Sequence, residues 1–296
     1  MNMKSELPQQ TVSYISHVVD TTRWDRFVPR DDDIFICTPP KCGTTWTQAI
    51  CALLIFGRAD IDVIPGIISP WMDVKHLPLD ETLAMLEAQT HRRFIKTHTP
   101  LDGIPFYPQC TYLAVYRDPR DVHFSMRNHA TNQASGANAH RATKDIGEGF
   151  RRWAETPYAA GDEDNFSLEA LIHHYDTFKR FSSLPAVHLL HYADMKRDLH
   201  GSMIEISEAL GLPYPPEVMD ALVSAASFEN MKRNADQFVP GAGQGRWKDE
   251  GQFFHKGTSN QWEGVLSEKD MVVYEAQMRT LLPPEEAVWL QHGNSV

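Results

Sequence analysis

Ile34-Phe35-Ile36-Cys37-Thr38-Pro39-Pro40-Lys41-Cys42-Gly43-Thr44-Thr45-Trp46 is the stretch whose reading decides the fold. Its first four residues form a short apolar run of the kind that makes a strand buried on both faces. A tight loop follows, and Trp46 to Phe56 is mostly apolar, with Gly57 where a helix C-cap would stand. Strand, loop and helix in that order leave unpaired N–H groups and the positive end of a helix dipole at the loop, where an oxyanion such as phosphate or sulfate binds. Gly43 permits close backbone approach, Thr44 and Thr45 add hydroxyl donors, and Lys41 adds a point charge. The lysine precedes the only glycine, so this is not a Walker A loop. Taken alone, the string also reads as a proline-stiffened turn.

Working outward, Arg93 to Thr97, Thr111 to Tyr116 and Val187 to Tyr192 are further candidate strands, each short, apolar and followed by turn or helix-start residues. Helical patterns lie between and after them: Leu79 to Gln89, a first turn at Pro119-Arg120-Asp121, Leu168 to Phe181, and Ser267 to Leu282 with Ser267 as N-cap. Strands alternating with helices predict an α/β fold with a central parallel sheet flanked by helices. With no repeat and no interdomain linker, residues 1–296 read as a single domain with its core at about 33–282. Thr131 to Asp145 and Asn234 to Gly251 read as mobile loops.

Composition narrows the function. The chain has 296 residues, of which 42% are hydrophobic and 23% charged, ordinary values for a folded globular protein. Its net charge of −11 offers no general attraction to nucleic acid or anionic lipid, so an anion site must be local. Cys37, Cys42, Cys51 and Cys110 contain no CxxC pair and read as reduced thiols of a cytoplasmic protein. The longest apolar stretch, Ile50 to Phe56, is too short to span a bilayer, and the N-terminus has no signal-like apolar region, so neither membrane insertion nor export is expected.

Two more pieces carry chemistry. Tyr116 to Ser125 sits at the end of one candidate strand and the start of a helix, at the carboxyl edge where sheet ligands bind. Arg117 can offer a forked donor set to a phosphate, and Ser125 a hydroxyl on the same side. Arg120 and Asp121 read more plainly as surface charges that pair with each other or with solvent. Lys96-Thr97-His98-Thr99-Pro100 closes another strand, so His98 should emerge on the same sheet edge as Lys41, with an imidazole suited to general-base work on a hydroxyl. The chain holds 14 histidines, and it is this position that separates His98 from the rest.

Together these residues resemble the cytosolic-type sulfotransferases, which use 3'-phosphoadenosine 5'-phosphosulfate (PAPS), and the chain is read as a bacterial member. The resemblance runs from about Phe35 to Trp262. Thr38 to Trp46 matches the family's 5'-phosphosulfate loop, and Arg117 to Val122 with Ser125 its 3'-phosphate signature. Lys96 to Pro100 matches its histidine motif, Tyr192 to Lys196 its Y-E-D-M-K segment, and Ser227 to Lys232 its S-F-x-x-M-K segment. The resemblance implies transfer of a sulfuryl group to a hydroxyl or amine of a small or lipid-linked acceptor, leaving 3'-phosphoadenosine 5'-phosphate (PAP), without a metal. His98 would be the base. Lys41 and the backbone of Cys42, Gly43, Thr44, Thr45 and Trp46 would hold the 5'-phosphate end, and Arg117, Ser125, His255, Lys256 and Gly257 the 3'-phosphate. Trp46, Tyr192 and Phe228 would enclose adenine, although each aromatic taken singly reads as a core residue.

By the same resemblance Trp71, Met72, Phe106, Tyr107, His140 and Phe238 fall in regions that line the acceptor pocket, which implies an apolar, aromatic site open to phenols, steroid-like or aliphatic alcohols and lipid-linked sugars. Three departures stand out: His255 replaces an arginine, Ala226 replaces an adenine-contacting threonine, and Glu263 to Ser267 does not reproduce the family's dimer motif. The competing readings are a P-loop-type small-molecule kinase, which would need magnesium and a Walker lysine, and a nucleotide-binding relative without turnover.

Overall fold

The computed structural model describes residues 7–136, 138–159, 166–254 and 257–294. Four parallel strands, β1 (Ile34–Cys37), β2 (Phe94–Thr97), β3 (Thr111–Tyr116) and β4 (Val187–His191), lie in the order β2-β1-β3-β4. Thr38 to Pro40, His98 and Arg117 all follow the carboxyl ends of neighbouring strands, so the register itself gathers the three chemical motifs at one edge.

Strand side chains alternate between two cores. Phe35, Cys37, Tyr112, Ala114 and Tyr116 pack on one face, while Ile34, Ile36, Leu113 and Val115 pack on the other. The helices in chain order are α1 (Thr44–Phe56), α2 (Pro65–Ile68), α3 (Leu79–Ala88), α4 (Pro119–Asn132), α5 (Ile146–Glu155), α6 (Leu168–Lys179), α7 (Tyr192–Arg197), α8 (Leu199–Ala209), α9 (Pro216–Ala226), α10 (Phe228–Arg233), α11 (Ala235–Phe238), α12 (Glu268–Leu281) and α13 (Pro284–His292). Residues of α5, α6 and α12 cover the first face, and residues of α1, α8 and α9 the second. A capping box between Ser267 and Asp270 starts α12, and Gly57 in the left-handed region ends α1.

Some boundaries depart from the sequence reading for local reasons. The fourth strand stops at His191 because that imidazole accepts from the Ala193 N–H and caps a helix, so Tyr192 opens α7. Arg120 and Asp121 do not pair with each other or with solvent. Arg120 is buried, forks onto Asp118 and lies 3.9 Å from the Trp262 ring centroid. Asp121, also buried, accepts the backbone N–H groups of Asn260 and Gln261. A charge pair also closes the amino end of the sheet, where Arg93 meets Asp33 through two hydrogen bonds, 2.7 and 2.5 Å long, with both side chains buried.

The two stretches read as mobile loops are zipped to one another. Gln133 and Trp247 form an antiparallel bridge, Ala134 N–H donates to Arg246, and Lys248 N–H donates to Asn132. The second stretch also contains α11. Before β1, Tyr14 is fully buried, packed so closely over Gly103 that a Cβ there would come within 2.4 Å of the ring.

Candidate functional site

The phosphate-type loop joins β1 to α1. Lys41 and Gly43 both adopt positive φ, 73° and 107° respectively, a turn in which only the glycine is free of steric cost. No side chain caps α1, so the N–H groups of its first turn are left to whatever occupies the loop. A Cβ on Gly43 would stand 3.0 Å from the Tyr192 ring, which shows how closely α7 approaches the loop. Thr44 shares a 2.5 Å hydrogen bond with Thr38, tying the helix start to the strand end.

Arg117 follows the carboxyl end of β3, against Tyr192 of α7. Its guanidinium stands 4.5 Å from the Tyr192 ring centroid and 3.8 Å from Asp121, and one terminal nitrogen donates to Thr258 O at 3.2 Å. Its Nε is buried with no hydrogen-bond partner. A buried donor is costly when left unmade, so this atom fits an incoming oxyanion. Trp46 meets Tyr192 edge-on at 5.3 Å and donates its indole N–H to Ala226 O, while Gly257, at φ 59°, lies against the Phe228 ring. Of the three aromatics expected around adenine, Trp46 and Tyr192 are in direct contact, while Phe228 packs on Gly257 and Phe254. Ser125 falls on the same face of α4 as Asp121 and His129, one turn from each. His255 and Lys256 lie outside the described residues, so the arginine-to-histidine departure does too.

The carboxyl edge of the sheet brings Lys41, His98 and Trp71 together. Thr38 O can only accept, so the His98 Nδ1 at 2.6 Å from it carries the hydrogen and the neutral ring keeps its lone pair on Nε2. Burial, reinforced by the Lys96 charge, pushes His98 well below its ordinary pKa and keeps it neutral. Trp71 packs edge-on to His98 at 4.7 Å and also lies under the Lys96 ammonium at 4.5 Å, so Lys96 is not merely solvated. Lys41 Nζ sits 3.1 Å from His129 Nδ1. Loss of water, then repulsion from Arg117 and Lys96, pulls Lys41 down to about 7.

A small cavity of about 40 Å³ opens beside His98, lined among others by Tyr14, Pro39, Pro40, Leu171 and His174. The residues expected to line the acceptor pocket do not border this cavity. Phe106 stacks on Tyr112, and Tyr107 packs against Phe27 and Phe35, within the core beside the first half of the sheet rather than at its carboxyl edge. Phe238 is buried in a small cluster with Ala49 and Met231, against Trp46. His140 is exposed on a short turn. Met72 is wholly buried, its backbone N–H bonded to Lys96 O.

Three contributors escaped the sequence reading. Asp73 accepts from the Thr97 and Thr99 hydroxyls and the Trp24 indole, fixing the two residues that flank His98. His129 was signalled only by its place one turn beyond Ser125, and Trp247 covers it at 4.9 Å. Among the described residues no group of three or more His, Cys, Asp or Glu side chains could hold a metal ion, and no helix is long and apolar enough to cross a membrane.

The sulfotransferase domain family matches residues 31–282. A glycolipid sulfotransferase of Mycobacterium bovis is 33% identical, the match covering 98% of each chain. An amine sulfotransferase of Oryctolagus cuniculus is 27% identical over 90% of this chain and 86% of its own. Among solved structures, a mouse sulfotransferase complexed with PAP shares the fold with a TM-score of 0.72 at 19% identity, covering 91% of this chain and 92% of that one. Retinol dehydratase in complex with androsterone and PAP aligns with a TM-score of 0.69 at 20% identity, over 89% and 84%. With most of its length inside the domain match and the donor loop, Arg117 and His98 gathered at one sheet edge, the chain belongs to the sulfotransferase family.

Proposed function

We propose that this PAPS-dependent sulfotransferase sulfates a hydroxyl of a lipid-linked, sugar-bearing acceptor, with His98 as general base. The supporting observation is the tautomer of His98: its Nδ1 is committed to Thr38 O, which leaves Nε2 as the proton acceptor beside an apolar cavity. The mycobacterial relatives are named for glycolipids, which favours lipid-linked sugars among the acceptors left open by the sequence. The mammalian amine sulfotransferase supports nitrogen as the runner-up acceptor. Family membership displaces the kinase reading.

When bound, PAPS supplies the sulfuryl group and a leaving group that departs as PAP. The first-turn N–H groups of α1, with Thr44 and Thr45, hold the 5'-phosphate end, and Lys41 meets the negative charge that develops on the departing oxygen. Arg117, through its unpartnered Nε, and Ser125 hold the 3'-phosphate, joined by Gly257 and Lys256. Trp46, Tyr192 and Phe228 enclose the adenine. His98 Nε2 takes the acceptor proton as the acceptor O–S bond forms and the bridging S–O bond breaks in line, so catalysis is mainly positioning and electrostatic.

His98→Ala tests this reading. Sulfation of a glycolipid acceptor from radiolabelled PAPS should fall about 10²–10⁴-fold, while PAP affinity by calorimetry stays within about threefold. Unchanged turnover would remove His98 from the reaction. PAP binding by the wild-type protein without sulfation of any hydroxyl or amine acceptor would favour the relative without turnover.

A further inference from the structure

Positive charge converges on the side of Lys41 that faces His98 and His129. Loss of water, then repulsion from Lys41, Arg246, Lys96 and Arg141, lowers His129 to about 2. Exposed His76 is lowered in the same way, by loss of water and then by Arg246, Lys96 and Arg23. Arg246 and Lys96 therefore act together on two imidazoles from separate segments. In a chain of net charge −11 such a cluster is a local field set against the general one.

Aromatic rings hold three of these cations in place. Lys96 lies over Trp71 at 4.5 Å, and Trp71 meets His98 edge-on at 4.7 Å. Arg246 lies over Trp247 at 5.5 Å, and Trp247 meets His129 at 4.9 Å. Arg141 lies over Phe166 at 5.3 Å, and Phe166 lines the small cavity beside His98. A guanidinium laid on a ring keeps its in-plane N–H groups for an oxyanion.

The groups assigned to PAPS do not include Arg246. The cations that bear on Lys41 are Arg117 and Lys96, whereas Arg246 bears on His129 and His76. Arg246 is exposed, loss of part of its water lowers its pKa, and among the described residues no carboxylate offsets that loss. Its strip, residues 246–248, is bridged to the end of α4, which holds the arginine beside the site.

We infer that Arg246, within the field of Lys96, grips an anionic group on the acceptor, so the enzyme selects an amphiphile bearing a carboxylate or phosphate near its reacting hydroxyl over the neutral counterpart. The inference rests on the reading of His98 as the base, which puts the acceptor on this side of Lys41. Arg246 is a specificity residue, and the sulfuryl transfer itself does not pass through it.

The test compares n-octyl β-D-glucuronide, which carries a carboxylate, with neutral n-octyl β-D-glucoside, in the wild type, Arg246→Gln and Arg246→Glu. Two quantities are read: kcat/KM at saturating radiolabelled PAPS, and affinity for the enzyme–PAP complex by calorimetry, which needs no turnover. The wild type should favour the glucuronide in both. In Arg246→Gln the glucuronide-to-glucoside ratio should fall about 5- to 30-fold, and in Arg246→Glu further, because like charges then meet. Raising ionic strength from about 0.05 to 0.3 M should lower the wild-type ratio several-fold and leave that of Arg246→Gln within about twofold. PAP affinity should stay within about threefold in both variants.

A wild-type ratio at or below one overturns the inference, as does a ratio unchanged within about twofold in both variants. A loss of PAP affinity beyond threefold assigns Arg246 to the donor and overturns it as well. If neither compound is sulfated, the sugar-hydroxyl reading falls, and the affinity ratio for the enzyme–PAP complex still decides the anion grip; equal affinities or no binding there overturn it.

Discussion

Binding of PAP should draw a proton onto the enzyme, and Lys41 sets how much. In the free protein its ammonium is pulled down to about 7, first by loss of water and then by Arg117 and Lys96, while neutral His129 lies 3.1 Å away. A phosphate brought against Lys41 supplies the missing counter-charge and restores it toward the ordinary ~10.4. At pH 8 the free lysine holds ~0.1 proton and the bound one nearly a full proton, so binding takes up ~0.9 proton; at pH 6 it takes up only ~0.1. The sign follows: the ion-pair contribution to affinity is complete below about 7 and declines as pH rises toward the bound-state pKa. The dissociation constant should therefore rise about 20-fold between pH 7.5 and 9, a range in which the phosphates of PAP are already ionised. Calorimetry at pH 8 in buffers of different ionisation enthalpy reads the uptake directly as a slope, and Lys41→Met should flatten it. A zero slope in the wild type, with affinity constant from pH 7.5 to 9, would refute the assignment of Lys41 to the phosphate.

Arg117→Ala should weaken PAP by about 1.5–3 kcal/mol while leaving adenosine 5'-phosphate nearly unaffected, and equal losses for both ligands in calorimetry would detach Arg117 from the 3'-phosphate. Asp33→Asn leaves the Arg93 guanidinium buried without its counter-charge, which should cost about 3–5 kcal/mol. Melting should then fall by roughly 6–20 °C with PAP contacts intact, and a change below about 2 °C would mean that the pair is dispensable.

Legibility in the sequence follows locality. The strand from Ile34 to Cys37, the start of α4 at Pro119 and the αL end of α1 at Gly57 depend on residues adjacent in the chain, and each was readable. Family position does not say which way an aromatic ring turns, and here Phe106, Tyr107 and Phe238 pack into apolar clusters and do not line the cavity beside His98. His129 was missed for the converse reason. Its significance comes from Lys41, 88 residues away in the chain, and 14 histidines offer no local sign of which one the fold will select. The pairing of residues 132–134 with 246–248 was equally hidden, since neither segment has strand-like alternation and only their mutual contact orders them.

The contact between Gly43 and Tyr192 binds the fate of two distant codons. One ring fills the space a Cβ at position 43 would need, faces Arg117 and meets Trp46 edge-on. A side chain added at position 43 must therefore displace the platform that is assigned to the adenine, and a bulkier ring at position 192 would press on the loop that is assigned to the phosphate. Through drift the two positions can change only in concert, so natural variation among relatives that preserve donor use should treat them as a single inherited unit.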